Sequence, residues 1–399
     1  MKLYDELRWR GMIQDVSSPD VEKMINDGNV TFYWGTDPTA DSLHIGHYTN
    51  LVLARNFKKH GHNPILLVGG ATALIGDPRG KGERPLLSRD EIGYNFNKIA
   101  TQVKGITGCE IVNNYSWIKD IDVISFLRDY GKHFTVNYML DKDKVRRQLE
   151  NGLSFTEFSY MLLQALDFKY LFENRGVTLQ IAGSDQWGNI TSGIELIRRT
   201  LGKEAYGMTM PLVLDENGNK IGKSEGNAVW LDKEKFSPYK MYQYLINTAD
   251  SVVIDHLKKM TLLSREEIES LESKLKEMPE ARDAQKALAF EVVKDVHGEK
   301  EALEAKRISE EVFTKGYSEE GMEEANIDLV DGMNILDLLV QVKIAPSKSE
   351  ARRLVTGNGI SINSVKVIDP AYLITEDMFN DKFIVSKGKK THIKVNLNK

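Results

Sequence analysis

The sequence predicts an α/β protein built on a mostly parallel sheet with helices on both faces, and three observations carry that expectation. Through the first 225 residues, β-branched and aromatic runs alternate with helical stretches. Glycines stand where several of those runs stop, at Gly35, Gly69-Gly70 and Gly183. Beyond residue 225 the pattern changes to charged helices, and then to a short basic module. In a sheet of this kind ligands bind at the carboxyl ends of the strands, where those glycines fall.

In order, strands are expected at about 30–35, 64–69, 109–113 and 178–183, and helices near 42–59, 89–104, 120–130, 156–174 and 187–201. Val30-Thr31-Phe32-Tyr33-Trp34 reads as a buried strand ending at Gly35. Asp41-Ser42 offers caps for the next helix, whose inner face would carry Leu43, Leu51, Val52, Leu53 and Phe57. From Ser237 to about Lys315 the chain turns helical, with Ser264 as a cap and Met278-Pro279-Glu280 opening another helix. Residues 316–332 hold six acids and no Lys or Arg, and read as a flexible linker. Two short helices, around 335–339 and 347–355, and strands at 359–363 and 366–367 complete the chain. The expected division is 1–225, 226–315, 316–332 and 333–399.

A chain of 399 residues has room for two or three domains, each with its own core. Hydrophobic content of 41% and charged content of 28% are those of an ordinary soluble protein, and no apolar run reaches membrane-spanning length. Cys109 is the only cysteine, so no internal disulfide can form, and a reducing cytoplasm is the expected compartment. The net charge of −5 argues against an indiscriminate nucleic-acid binder, but it is unevenly placed. Residues 333–399 carry 11 Lys and Arg against 6 Asp and Glu, a net of +5, which leaves −10 on the rest.

Two motifs carry the chemistry. His44-Ile45-Gly46-His47 sits at the expected start of a helix, where unpaired N–H groups and the helix dipole favour an anion. The preceding strand delivers Asp37 and Thr39 to the same place. Gly46 lets a flat base approach the backbone. Lys220-Ile221-Gly222-Lys223-Ser224 follows an Asn217-Gly218 turn that reads as a hairpin, so Lys220 and Lys223 can close over a triphosphate. The second motif is not a Walker A loop, because position 217 is Asn and Gly218 is one residue too close. Two histidines three apart suggest zinc only where further ligands converge; none presents itself, so no protein-bound metal is expected. Together the motifs suit adenylyl transfer.

The two motifs resemble the signature segments of class I aminoacyl-tRNA synthetases. The strings from Tyr33 to His44, Val68-Gly69-Gly70-Ala71-Thr72, Ile75-Gly76-Asp77-Pro78 and Gly183-Ser184-Asp185-Gln186-Trp187-Gly188-Asn189-Ile190 narrow the resemblance to bacterial tyrosyl-tRNA synthetases. It covers essentially the whole chain and implies a Rossmann-like nucleotide-binding domain, a helical anticodon-side domain and a small α+β RNA-binding domain. It further implies that Tyr33 and Asp167 contact the phenolic hydroxyl of L-tyrosine, and that Asp77, Tyr160 and Gln164 hold its ammonium, with Gln180 and Gln186 nearby. Tyr160, Gln164 and Asp167 share one helix face by spacing. Thr39, His44 and His47 would bind ATP phosphates, with Gly35, Asp37 and Gly46 beside them; Gly183 and Asp185 would hold the ribose. Lys220, Lys223, Lys81 and Arg84 would bind the leaving pyrophosphate. Mg2+ would be bound mainly through the ATP phosphates.

By the same resemblance Lys348, Arg352, Arg353, Lys387, Lys389 and Lys390 would contact tyrosine tRNA, and the segment 132–140 would lie at a homodimer interface. Leu166, Ala182, Trp34 and Thr36 depart from the family's usual residues. Two other readings stand beside this one. A tryptophan-charging enzyme of similar fold has no use for Tyr33 and Asp167, since indole lacks a phenolic hydroxyl. A retired scaffold that only binds RNA would have lost the phosphate-binding histidines and lysines, which are all present.

Overall fold

A computed structural model describes residues 2–78, 87–149, 152–224, 227–315, 322–330, 332–380, 382–388 and 391–398. The chain divides into two compact units, Met1–Glu299 and Lys300–Lys399.

The first unit is built on a six-stranded sheet: β1 (Asp15–Val16), β2 (Thr31–Thr36), β3 (Asn63–Val68), β4 (Glu110–Asn113), β5 (Leu179–Gly183) and β6 (Tyr206–Met210). Their order is β1-β6-β5-β2-β3-β4, parallel throughout except that β1 runs antiparallel to β6 at the edge. The chain leaves β2 towards β3 and β4 and returns on its other side through β5 and β6. The switch in strand order therefore lies between β2 and β5, where a doubly wound sheet opens a crevice. Tyr33 and Gln180 face each other in register across it.

Four helices frame this sheet: α1 (Ile45–Lys59), α2 (Arg89–Thr107), α3 (Phe155–Arg175) and α4 (Trp187–Leu201). Leu51, Val52, Leu53 and Phe57 of α1 are buried, and the Phe57 ring meets Phe32 at 4.6 Å. The cap of α1 is His44 rather than Asp41 or Ser42. Ser42 is taken up by the Leu43 carbonyl and Gln102, and Leu43 and Ile45 are held to Leu231 and Val229 across the bridge between His44 and Trp230, so the helix starts from His44. The helix expected over 120–130 is broken into a short turn, Val123–Ser125, and a π turn, Phe126–Tyr130. Cys109 is buried just before β4, as expected of a core thiol.

The lysine motif ends the sheet-bearing part. Leu214 bridges Lys220 in the expected hairpin, and β7 (Lys223–Ser224) pairs with β8 (Asn227–Ala228). Helices α5 (Pro238–Ile246), α6 (Asp250–Met260), α7 (Arg265–Glu277) and α8 (Asp283–His297) follow. Ser264 and Glu267 form a reciprocal cap on α7. Met278-Pro279-Glu280 opens only a 3-10 turn, Pro279–Ala281, and α8 begins at Asp283.

The second unit opens with α9 (Glu299–Lys315) and holds a five-stranded sheet, order β11-β10-β12-β13-β9. The strands are β9 (Glu323–Ile327), β10 (Ile360–Ile362), β11 (Val365–Lys366), β12 (Ile384–Lys387) and β13 (Thr391–Leu397), packed with α10 (Ile335–Gln341) and α11 (Lys348–Thr356). Ile335, Leu338, Leu339, Val355, Ile360 and Val385 are completely buried in its core. Within the span 316–332 expected to be a flexible linker, the described residues include a strand, β9, at Glu323–Ile327. Ala325 and Ile327 pack on the core, the backbone pairs in parallel with β13, and Glu324 is bound by Lys394 and Asn396, so the acids face basic and polar partners. Low hydrophobicity hid a two-residue alternation that suffices at a sheet edge.

Arg10 fixes the amino-terminal helix, Leu3–Trp9, to the bundle. It is 2% exposed and donates to the carbonyls of Lys258, Thr261 and Leu263 at 2.9, 3.0 and 2.6 Å, while pairing with Glu6 at 2.8 Å. Arg10→Ala strands three carbonyls, and a loss of about 3 kcal/mol or more is expected in denaturant unfolding.

Candidate functional site

The site divides into a buried amino-acid pocket and a more open anion site, both at the carboxyl ends of the strands. The pocket is organised around Asp167. Its side chain, on α3, is 2% exposed, and Asn114 Nδ2 and Trp117 Nε1 each donate to it at 2.9 Å. Burial raises its pKa to about 7 against these two donors, which act in the opposite direction. Asn114 also donates to Thr72 Oγ1 at 3.1 Å and accepts from Ala71 N at 2.7 Å, so the end of β4 ties the loop after β3 to the carboxylate. A Cβ at Gly69 would collide with Thr72 Oγ1 and Asp37 Oδ1, which explains a glycine there.

Tyr33 is 1% exposed, and its buried hydroxyl has no hydrogen-bond partner among the described residues. Burial first, and then the Asp167 charge, pushes its pKa well above the usual phenol value. Gln180, its neighbour on β5, buries its Oε1 in the same unpaired condition. A donor and acceptor left unsatisfied beside a carboxylate describe a receptor for a hydroxyl-bearing ring.

At the polar end, Tyr160 donates to Asp37 Oδ2 at 3.0 Å, and Thr72 donates to Asp37 Oδ1 at 2.7 Å. The structure thus places Asp37, expected beside ATP, against the tyrosine-pocket residue Tyr160. Gln186 donates to Asp77 Oδ2 at 3.2 Å, and Asn189 Nδ2 reaches both Gln186 and Gln164, at 2.8 and 2.9 Å. Asp77, Gln186, Gln164, Tyr160 and Asp37 therefore offer acceptors to a cation. Sequence reasoning missed Asn114, Trp117, Thr72 and Asn189. The first two had a signal, because they follow the expected β4 strand at its ligand-facing end.

The anion site is the junction of the two motifs. His44 Nδ1 accepts from Gly46 N at 3.1 Å, His47 Nδ1 accepts from His44 N at 3.3 Å, and the two rings lie 3.9 Å apart. The lysine hairpin lies directly on this turn. A Cβ at Gly46 would stand 3.2 Å from the Ile221 carbonyl, and one at Gly222 only 2.5 Å from Ile45 Cγ2, with φ at +78°. Lys220 Nζ is 3.6 Å from Asp185 Oδ2, which joins the hairpin to the end of β5 beside Gly183. Thr39 is exposed past Gly35, on a loop held by Asn95 through the Pro38 carbonyl at 3.0 Å. Lys81 and Arg84 lie outside the described residues, as does the side chain of Lys223.

On the second unit Arg352 and Arg353 are exposed along α11, Lys348 pairs with Asp337 at 2.5 Å, and Arg353 pairs with Glu350 at 2.7 Å. Lys387 donates to the Ile344 carbonyl at 3.3 Å. Lys389 and Lys390 lie outside the described residues.

Residues 26–314 match the family model of tRNA synthetases class I (W and Y), and residues 316–395 match the tyrosine–tRNA ligase SYY-like C-terminal domain. The chain belongs to the class I tRNA synthetases of the tryptophan and tyrosine group, on the branch of the bacterial tyrosine–tRNA ligases. It is 46% identical over 411 residues to the tyrosine–tRNA ligase of Macrococcus caseolyticus (strain JCSC5402), spanning 98% of this chain and 99% of that one. It is 47% identical over 413 residues to that of Geobacillus stearothermophilus, with the same coverage. Among solved structures, a C-terminally truncated mitochondrial tyrosyl-tRNA synthetase of Aspergillus nidulans superimposes with a TM-score of 0.70 at 30% identity, over 78% of this chain and 94% of that one.

The raised pKa of Asp167 has a consequence for stability. Between about pH 4 and about 7 the unfolded chain has lost this proton while the folded chain keeps it. Stability of the ligand-free protein from this group is therefore greatest below its unfolded value and falls as pH rises towards 7. Thermal melts from pH 4 to 8 should show that slope, and Asp167→Asn should remove it.

Proposed function

We propose that the protein joins L-tyrosine to ATP, forming tyrosyl-adenylate and pyrophosphate, and then passes the tyrosyl group to the terminal ribose of tyrosine tRNA. The observation that carries this reading is the unpaired Tyr33 hydroxyl facing the buried, donor-held Asp167. A phenolic hydroxyl accepts from Tyr33 and donates to Asp167, satisfying both. Phenylalanine would leave them unpaired, and indole has no oxygen to offer. Tyrosyl-tRNA synthetases are themselves the usual illustration of this rule, in which buried hydrogen-bonding groups reject an analogue lacking the partner.

The ammonium of tyrosine lies among Asp77, Tyr160 and Gln164, with Gln186 and Gln180 completing the pocket. Its carboxylate is already ionised, so no general base is required. One carboxylate oxygen attacks the α-phosphorus of ATP, the bond to the bridging oxygen breaks, and pyrophosphate leaves with that electron pair. Catalysis then consists of positioning and of stabilising charge on the phosphates. His44, His47 and Thr39 meet the phosphates at the start of α1, with Gly35 and Gly46 allowing close approach. Gly183 and Asp185 hold the ribose. Lys220 and Lys223, with Lys81 and Arg84, follow the negative charge onto pyrophosphate. Mg2+ enters on the ATP phosphates. In the second step a ribose hydroxyl attacks the tyrosyl carbonyl carbon, and AMP departs.

Arg352 and Arg353, with Lys348, Lys387, Lys389 and Lys390, meet the tRNA backbone, and the reaction belongs in the cytoplasm with its substrates. The working form is a homodimer. Val123, Ile124, Leu127, Val136 and Phe155 are 71%, 69%, 50%, 61% and 76% exposed, an unusual apolar display for a free surface; Val136 lies within the segment 132–140 and the others lie to either side of it in sequence.

Exchange of labelled pyrophosphate into ATP tests the first step without tRNA. Tyrosine alone should support it; exchange with tryptophan would replace the pocket assignment, and none with any amino acid would leave the RNA-binding reading. Asp167→Ala should lower kcat/KM for tyrosine by at least about 100-fold with little change in ATP binding. Lys220→Ala should slow adenylate formation by about 100-fold while leaving tyrosine affinity intact. Phe155→Asp should halve the sedimenting mass if the apolar surface is covered by a second copy.

A further inference from the structure

Both signature segments are attached to the helical bundle by a tyrosine hydroxyl. Tyr48, the residue after His47, is 1% exposed, and its hydroxyl donates to Asp295 Oδ2 of α8 at 2.7 Å. The other oxygen of Asp295 is paired with Arg55, two turns further along α1. On the opposite side of the junction, Gly222 N donates to the hydroxyl of Tyr244 on α5 at 3.3 Å. His256 of α6 holds the base of the same hairpin, its Nε2 lying 2.9 Å from the Leu214 carbonyl.

An open cleft of about 990 Å³, lined by Ile221, Gly222, Tyr244, Val252, His256 and Met260 among others, lies between the hairpin and α5 and α6. Beside this cleft, Ile221 is buried at the hairpin, and the polar contacts of Tyr244 and His256 fix where the hairpin sits on α5 and α6. At the other face it touches Ile45 and Gly46, which leave no room for a Cβ on Gly222. A shift of either attachment changes how His44 and His47 face Lys220.

We propose that Tyr48 and Tyr244 are positioning residues for adenylate formation, which fix the Gly46–Gly222 junction from the bundle side so that the histidine and lysine segments meet the same phosphates. Neither hydroxyl touches substrate; each acts through a neighbour, Tyr48 through the first turn of α1 and Tyr244 through the backbone of Gly222. The proposal rests on the assignment of both motifs to ATP. It implies that the helical bundle does more than carry an RNA contact: it sets the register of the catalytic groups.

The test uses the full chain with Tyr48→Phe, Tyr244→Phe and the double variant, each change removing one oxygen and keeping the ring. Pyrophosphate exchange at saturating tyrosine and ATP should fall about 3- to 10-fold for each single variant, the size of one hydrogen bond realised in the transition state. KM for tyrosine and the melting temperature should stay close to wild type. Because both hydroxyls serve one junction, the double variant should lose less than the product of the two single losses. Unchanged exchange in both single variants overturns the proposal. A parallel fall of rate, tyrosine affinity and melting temperature also overturns it, since that marks general destabilisation. A double variant that loses the full product overturns the shared junction. Failure of the underlying assignment has a separate signature: wild-type protein that does not exchange, or Lys220→Ala that exchanges normally.

Discussion

The carboxylate of Asp167 is the constraint around which the amino-acid pocket is built. A charge buried in an apolar wall is costly unless hydrogen-bond donors surround it. α3 brings none of its own to that point. The donors come from the far end of β4, as Asn114 and Trp117, and Asn114 is held in turn by Thr72 and Ala71 of the loop after β3. One buried oxygen pair thus fixes the relative placement of a helix, a strand end and a loop. The two donors do not fully offset burial, which holds the carboxyl well above the usual carboxylate range. On the proposed reading, the phenolic hydroxyl of tyrosine completes the set.

Recognition and chemistry are separated by rigidity. The pocket sits on strands and one long helix, its polar atoms already aimed and partly unpaired, so discrimination comes from groups that cannot move to satisfy themselves. The anion site is assembled differently. A helix start, a hairpin and the end of β5 meet at Gly46, Gly222 and Gly183, and the cationic group described there, Lys220, reaches in on a flexible stem. Charge stabilisation on a moving pyrophosphate suits such stems, whereas a pocket that reads one oxygen atom does not.

The sheet and both motifs were legible from sequence because they rest on local signals: β-branched runs, helix spacing, glycines at strand ends and a hairpin turn. That Tyr160, Gln164 and Asp167 share one face of α3 was legible through spacing, whereas the tyrosine-binding roles proposed for them came from family resemblance. What escaped was non-local. Trp117 and Asn114 look like ordinary residues after a strand, and only the fold brings them to Asp167, some 50 positions away. β9 escaped for a related reason, since its acids read as a solvated linker until Lys394 and Asn396 arrive from the end of the chain. The cap of α1 was misplaced by two residues because Ser42 is a good cap in isolation and is consumed by Gln102 from another helix.

The ion pairs on the second unit bear on how a basic module can serve RNA while part of its charge is already engaged. Lys348 and Arg353 are each joined to an acid on or beside their own helix, yet both side chains remain largely exposed, at 68% and 78%. Exposed pairs of this kind contribute little to stability, because water and salt screen them and side-chain entropy opposes them. A phosphate can therefore take the cation from its carboxylate at small cost, and the counterions released from the RNA favour the exchange. The surplus of +5 over residues 333–399, set against −10 elsewhere, makes this module the part of the chain whose field favours a polyanion, as the proposed tRNA contact requires.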